Sequence, residues 1–261
     1  MFDSLATSRN FRRLAKRHWF NANGFLRQLR RVNIFCGGCG SGKSEIAVNF
    51  ALSLAEDGRQ VAIADLDIVN PYFRSREARE VLAGYGVRVL APESTMMESD
   101  LPMLSPEIKG AIAAGGEFVV LDLGGDSVGA RIMATLNEGI NPAEFDSFFV
   151  LNSRRPFTRT LEQVLGLMSG IDGSSGVPVT YIVVNSHLIE ETDEAVIKEG
   201  IELAEAVSKM SGRSIGFVVM ARGLFDHFNL DLCPYPVLVL DRMLLKPWEQ
   251  PERLGPAKFK I

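Results

Sequence analysis

The sequence predicts an α/β domain on a doubly wound, mostly parallel sheet of seven to eight strands. Three observations carry this. From Val32 onward, eight short apolar runs recur, rich in β-branched residues and continuous rather than alternating, as in strands covered on both faces. Helical periods separate the runs. A glycine-rich turn at 37–44 joins the first run to the first helical period.

In chain order the runs are VNIFC at 32–36, QVAIAD at 60–65, VRVLA at 87–91 and EFVVLDL at 117–123. DSFFVLN at 146–152, PVTYIVVN at 178–185, SIGFVVM at 214–220 and PVLVL at 236–240 follow. After the glycine-rich turn, Ile46, Ala47, Phe50, Ala51 and Leu54 recur on one helical face, and Gly58 supplies a stop signal. Ser105-Pro106-Glu107 combines an N-cap, a proline at the first helical position and an early acid. The longest irregular stretch, at 93–106, holds Met96, Met97 and Met103, read as packing beneath it. No internal repeat interrupts the alternation. The expected division is therefore a basic arm at 1–31 and a single domain at 32–261.

Composition narrows the classes. The chain has 261 residues, 46% hydrophobic and 23% charged, which excludes wholesale disorder. No run of about 18 apolar residues occurs, so no membrane-spanning helix is expected. Three cysteines are too few for a disulfide scaffold, and a reducing cytoplasmic compartment is expected. The formal charge is −4, but residues 1–31 carry +7 and the other 230 carry −11. The acidic body is not expected to bind nucleic acid.

The sharpest signal is GGCGSGKS, which fits G-x-x-x-x-G-K-[ST] between a strand and a helix. Glycines let backbone N–H groups turn inward around phosphate oxygens, where a Cβ would obstruct them. The helix N-terminus adds its positive dipole end. Gly37, Gly38, Cys39, Gly40, Ser41 and Gly42 would form the cradle. Lys43 would reach the β- and γ-phosphates, and the Ser44 hydroxyl would face Mg²⁺. The pattern is not a dinucleotide fingerprint, because Lys43 stands where a third glycine would be needed. It marks a P-loop nucleoside triphosphate site.

Such a site needs carboxylates at neighbouring strand ends. Asp122 closes FVVLD and can support Mg²⁺, while the Gly124-Gly125 backbone can approach the γ-phosphate. Asp65 and Asp67 close the strand after the loop helix. One can polarise the attacking water, and Asp65 is the further candidate beside the metal. Asp126 reads as the cap of a helix starting near Ser127.

The order GGCGSGKS, DLD at 65–67, DLGGD at 122–126 and VVN at 183–185 resembles the MinD/ParA/Mrp-type P-loop ATPases, which include the cobyrinate-synthase nucleotide-binding domains. The resemblance spans roughly 32–240. It implies that Asp67 positions the hydrolytic water, Asp122 supports Mg²⁺ and Asn185 helps bind the base. Many members carry an additional lysine early in the loop that reaches across a dimer; here Gly38 occupies that place. A replacement cation could come from Arg154 or Arg155, or from Arg74 or Arg76. Guanine recognition usually draws on a carboxylate three residues after such an asparagine; Leu188 stands there, which favours ATP over GTP.

The expected function is a slow Mg-ATPase acting as a nucleotide-dependent switch, with an ATP-dependent homodimer and an unidentified protein partner. A small-molecule kinase or amide ligase of related fold, or a binding module without turnover, is the alternative. Cys36 and Cys39 form C-x-x-C, but no further pair completes a metal set, and small-residue packing is the expectation. His18, His187 and His227 lack metal spacing and read as loop or core histidines. In the arm, Phe11, Leu14, Ala15 and Trp19 share a helical face among arginines. This fits a helix packed on the body, peripheral contact with an anionic membrane, or a targeting leader.

Overall fold

The computed structural model describes residues 18–66, 78–90, 105–124, 134 and 142–244. Its strands are β1 (Trp19–Phe20), β2 (Val32–Cys36), β3 (Val61–Leu66), β4 (Arg88–Leu90) and β5 (Phe118–Leu123), then β6 (Phe145–Leu151), β7 (Tyr181–Val184), β8 (Ser214–Ala221) and β9 (Val237–Leu240). Its helices are α1 (Asn23–Gln28), α2 (Lys43–Glu56), α3 (Arg79–Gly84), α4 (Pro106–Ala114), α5 (Leu161–Ser175), α6 (Glu194–Ser211) and α7 (Arg222–Phe225).

Among the described residues the strands form one sheet in the order β1-β9-β8-β7-β6-β2-β5-β3-β4. Only β1 runs antiparallel, against β9. The eight apolar runs are β2 to β9, so the α/β, mostly parallel architecture is as the sequence predicts. The central strand β2 lies between β5 and β6. From it the chain winds first to β3, and later crosses from β5 to β6 on the other side. The crevice beyond the carboxyl end of β2 is thus the topological switch point where α/β sheets place ligands.

Both sheet faces are covered, which is why the runs are apolar without alternation. Consecutive residues of β6 show it: Phe148 joins Phe35, Ile63 and Phe217 on the α2 face, whereas Phe149 joins Ile34, Leu121 and Ile201 on the other. Phe148 stacks on Phe35 with ring centroids 5.1 Å apart. The predicted face of α2 is buried throughout. Ser105 caps α4 as read, its Oγ accepting from the Ile108 N–H at 3.3 Å, with Pro106 in the first turn.

The ninth strand is a departure. Trp19 and Phe20 pair with Leu238 and Val237 instead of continuing a helical stripe. The Trp19 ring lies 5.1 Å from Phe217 and 5.7 Å from Phe25, and its Nε1 donates to Ser53 Oγ at 2.9 Å. Pairing with the open side of β9 satisfies backbone groups that an edge strand leaves exposed, while the indole fills the core beneath it. Residues 1–17 of the arm lie outside the described residues. Among the described residues no helix is long and apolar enough to cross a membrane.

Candidate functional site

The loop between β2 and α2 is wound by its glycines. Gly37 has φ +135, and a Cβ there would lie 2.7 Å from the Val150 carbonyl oxygen of β6. Gly42, at φ +95, precedes the first turn of α2; its missing Cβ leaves room for the Asn185 amide, which would otherwise lie 2.3 Å away. Asn185 stands just past β7, its backbone N–H donating to Leu151 O at 2.8 Å. Its Nδ2 donates to the Ser41 carbonyl at 2.7 Å, so the VVN strand end is tied to the loop directly. Lys43 is 5% exposed, and its Nζ donates back to Gly38 O at 3.0 Å. The ammonium is therefore held inside the loop that it would share with a phosphate.

The carboxylates occupy the other flank. Asp65 of β3 and Asp122 of β5 are register partners on adjacent parallel strands, and Asp122 is also in register with Phe35 of β2. Both are buried, on the α2 face. Ser44 lies in the first turn of that helix, which follows the carboxyl end of β2. Oxygen donors of this kind suit a hard divalent cation. Among the described residues no group of three or more His, Cys, Asp or Glu side chains comes together. Asp67, Gly125, Asp126, Arg74, Arg76 and the three methionines at 96, 97 and 103 lie outside the described residues.

The two candidate arginines after β6 part company. Arg154 pairs with Glu199 of α6. Arg155 lies over the loop, its Nε donating to Gly40 O at 2.8 Å. Cys36 is buried, and burial is the main reason its thiol is pushed up to about 11; Cys39 is exposed on the loop. The pair makes no joint site.

A cavity of about 280 Å³ opens from the loop toward the ends of β7, β8 and β9. Its cationic rim holds Lys43, Arg155 and Arg242, and its apolar wall includes Val219, Leu240 and Leu244. The outer wall is fixed by α2. The Glu45 carboxylate accepts from the Met243 and Leu244 N–H groups, the latter at 3.1 Å, and Asn49 exchanges two hydrogen bonds with the Asp241 backbone. Burial, outweighing those bonds, raises the Glu45 pKa above the ordinary carboxylate value.

His187 lies in the loop after β7, as the sequence reading has it, and there it also lines this cavity. Burial first, then the guanidinium groups of Arg155 and Arg242, push its pKa down to about 4. Its place two residues after Asn185 was the available signal. The residues that make it part of a cavity come from distant strands.

No family model matches the chain, and no curated protein matches it. Solved structures do. FtsY from Mycoplasma mycoides is 18% identical, with a TM-score of 0.50 over 74% of this chain and 62% of its own. The chain has the P-loop NTPase fold. Cell division protein FtsY from Thermotoga maritima is 18% identical at TM-score 0.48, covering 75% of this chain and 67% of its own. The signal recognition particle 54 kDa protein from Aeropyrum pernix K1, in complex with GDP, is 19% identical at 0.49, covering 72% and 41%. The chain thus spans between 41% and 67% of the length of these structures. The resemblance read from the motifs holds at the level of the P-loop NTPase fold.

Proposed function

We propose that the chain binds Mg·ATP and hydrolyses it slowly, as a nucleotide-dependent switch of the MinD/ParA/Mrp type. The observation that carries this is the loop at 37–44: a glycine cradle at the switch point, closed around a buried lysine and opening into a cavity. Lys43 exchanges the Gly38 carbonyl for β- and γ-phosphate oxygens, while the backbone N–H groups from Gly40 to Ser44 and the α2 N-terminus receive the phosphates.

Ser44, Asp122 and Asp65 are the residues that would hold Mg²⁺, which when bound would supply positive charge opposite the transferred phosphoryl group. Asp67 orients the attacking water, and the Gly125 backbone meets the γ-phosphate. Asn185 keeps the loop in register with the base side. Arg155, held on the chain's own loop, is the better placed of the two arginines to supplement Lys43. A nucleotide-linked homodimer remains part of the proposal, with hydrolysis weak in the monomer.

Adenine is proposed as the base because Leu188 occupies the position of the guanine-reading carboxylate. GDP in the signal recognition particle structure makes guanine the competitor. Titration calorimetry with Mg·ATP and Mg·GTP tests both points. Lys43→Ala is expected to weaken ATP binding by about 2–4 kcal/mol, as loss of a desolvated charge-assisted contact. Unchanged affinity in that variant, or tighter binding of GTP than ATP by the wild type, would overturn the corresponding part of the reading.

A further inference from the structure

The cavity reaches beyond the cradle, and the segment following β7 lines part of it with His187, Ile189 and Thr192. That segment is over-determined. Ile189 is a β-branched residue at φ +59, a conformation that persists only where surrounding bonds impose it. Thr192 imposes it, its Oγ1 donating to Ile189 O at 2.7 Å and accepting from the Leu188 N–H at 2.9 Å. The neighbouring β6 loop contributes as well, Asn152 Oδ1 accepting from the His187 N–H at 3.4 Å.

The strained turn fixes one feature of the imidazole. The Ile189 N–H donates to His187 Nδ1 at 3.3 Å, so the neutral ring carries its proton on Nε2. That nitrogen lies close over Gly42, 3.6 Å from where a Cβ would stand, and so borders the cradle. The ring is held neutral by burial and two flanking arginines. The imidazole thus presents one N–H donor, Nε2–H, to the cavity at a fixed place beside the phosphate loop, in a lining that also holds the aliphatic side chains of Ile189, Val219 and Leu240. Flat heteroaromatic ligands with in-plane acceptors fit such a slot.

Building on the proposed nucleotide site, we infer that His187 is its base-reading residue: the Nε2–H donates to a ring-nitrogen acceptor of adenine, held against the Ile189 side chain. The strain at Ile189 aims the imidazole, and the phosphate loop and the donor engage neighbouring parts of one ligand.

The full-length chain is titrated calorimetrically with Mg·ATP and, separately, with magnesium tripolyphosphate, which carries the phosphates without a base. His187→Ala is expected to lose about tenfold in ATP affinity, the worth of one hydrogen bond to a ligand, while tripolyphosphate binding stays within about twofold. Retained tripolyphosphate binding also reports an intact loop. His187→Gln, which keeps an N–H, recovers most of the loss; His187→Phe, which keeps the volume, does not. Wild-type ATP affinity in His187→Ala, or in His187→Phe, overturns the inference and leaves the phosphate site standing. Equal affinity of the wild type for ATP and tripolyphosphate does the same. Binding of neither ligand by the wild type overturns the nucleotide reading and this inference with it.

Discussion

A methyl group at Gly37 would meet the Val150 carbonyl of β6, which cannot retreat without breaking the sheet. At Gly38 the nearest atom to an added Cβ is the flexible Leu167 Cδ2 at 3.5 Å. The two neighbours are therefore predicted to diverge. Gly37→Ala costs about 1–3 kcal/mol of stability from backbone strain alone, and Gly38→Ala only a small fraction of that. Urea melts of the two variants check the contrast. Equal loss would mean that the loop's glycines serve conformational freedom generally and not a specific close approach. Asn185 shows the same economy of space, since its amide sits where a side chain at 42 would be. The chain could place an asparagine at the end of VVN by pattern, but its bond to Ser41 joins residues 144 positions apart and leaves no local mark.

Elements differ in how plainly they are written. Helix α5 declares itself: Thr160 and Gln163 form a reciprocal capping box, and Gly176 ends it in the left-handed conformation. Thr160→Ala is predicted to cost about 1 kcal/mol, read from thermal or urea unfolding. Strands β2 to β9 were legible because burial on both faces makes each an unbroken apolar run. Strand β1 was not. Two residues are too few to show a period, and Trp19 lies at a spacing that also suits a helix face. What decides its state is an open edge on β9, visible only in three dimensions. Trp19→Ala, which empties a site between Phe25, Phe50 and Phe217, is expected to lose about 3 kcal/mol. A loss below about 1 kcal/mol would show that the strand is only laid on the surface.

Across the molecule, α2 is gripped near both ends by segments far away in sequence. Near its start, Glu45 and Asn49 hold residues 241–244; at its end, Glu56 lies 3.4 Å from His18 Nε2. Burial alone would lower the His18 pKa, but the Glu56 bond and charge, the Val239 carbonyl and Asp241 together raise it above the ordinary value. A histidine raised in the folded state contributes stability that is fully present below about pH 6.5 and fades as pH rises through its folded value. His18→Gln should therefore be more destabilising at pH 6 than at pH 9, a comparison that denaturant melts make directly. An equal effect at both values would leave the imidazole with a packing role only. The candidate site was legible in its phosphate half, where chemistry fixes consecutive residues. Its other half draws on His187, Leu240 and Leu244, which are brought together by the sheet and share no motif.

The bond from His18 to Val239 spans 221 positions, and the donors that satisfy Glu45 come from residues 243 and 244. During synthesis the phosphate loop, its helix and most of the sheet leave the ribosome well before these partners exist. Domains of this size fold as units, and contacts so distant in sequence are the slowest to close. Until β9 and residues 241–244 arrive, a nascent chain carries a buried acid without its backbone donors and a cavity open on one side. Synthesis through Leu244 is thus built into the shape of the pocket: a ribosome stalled before Val237 would display the loop but not the wall formed by Leu240 and Leu244.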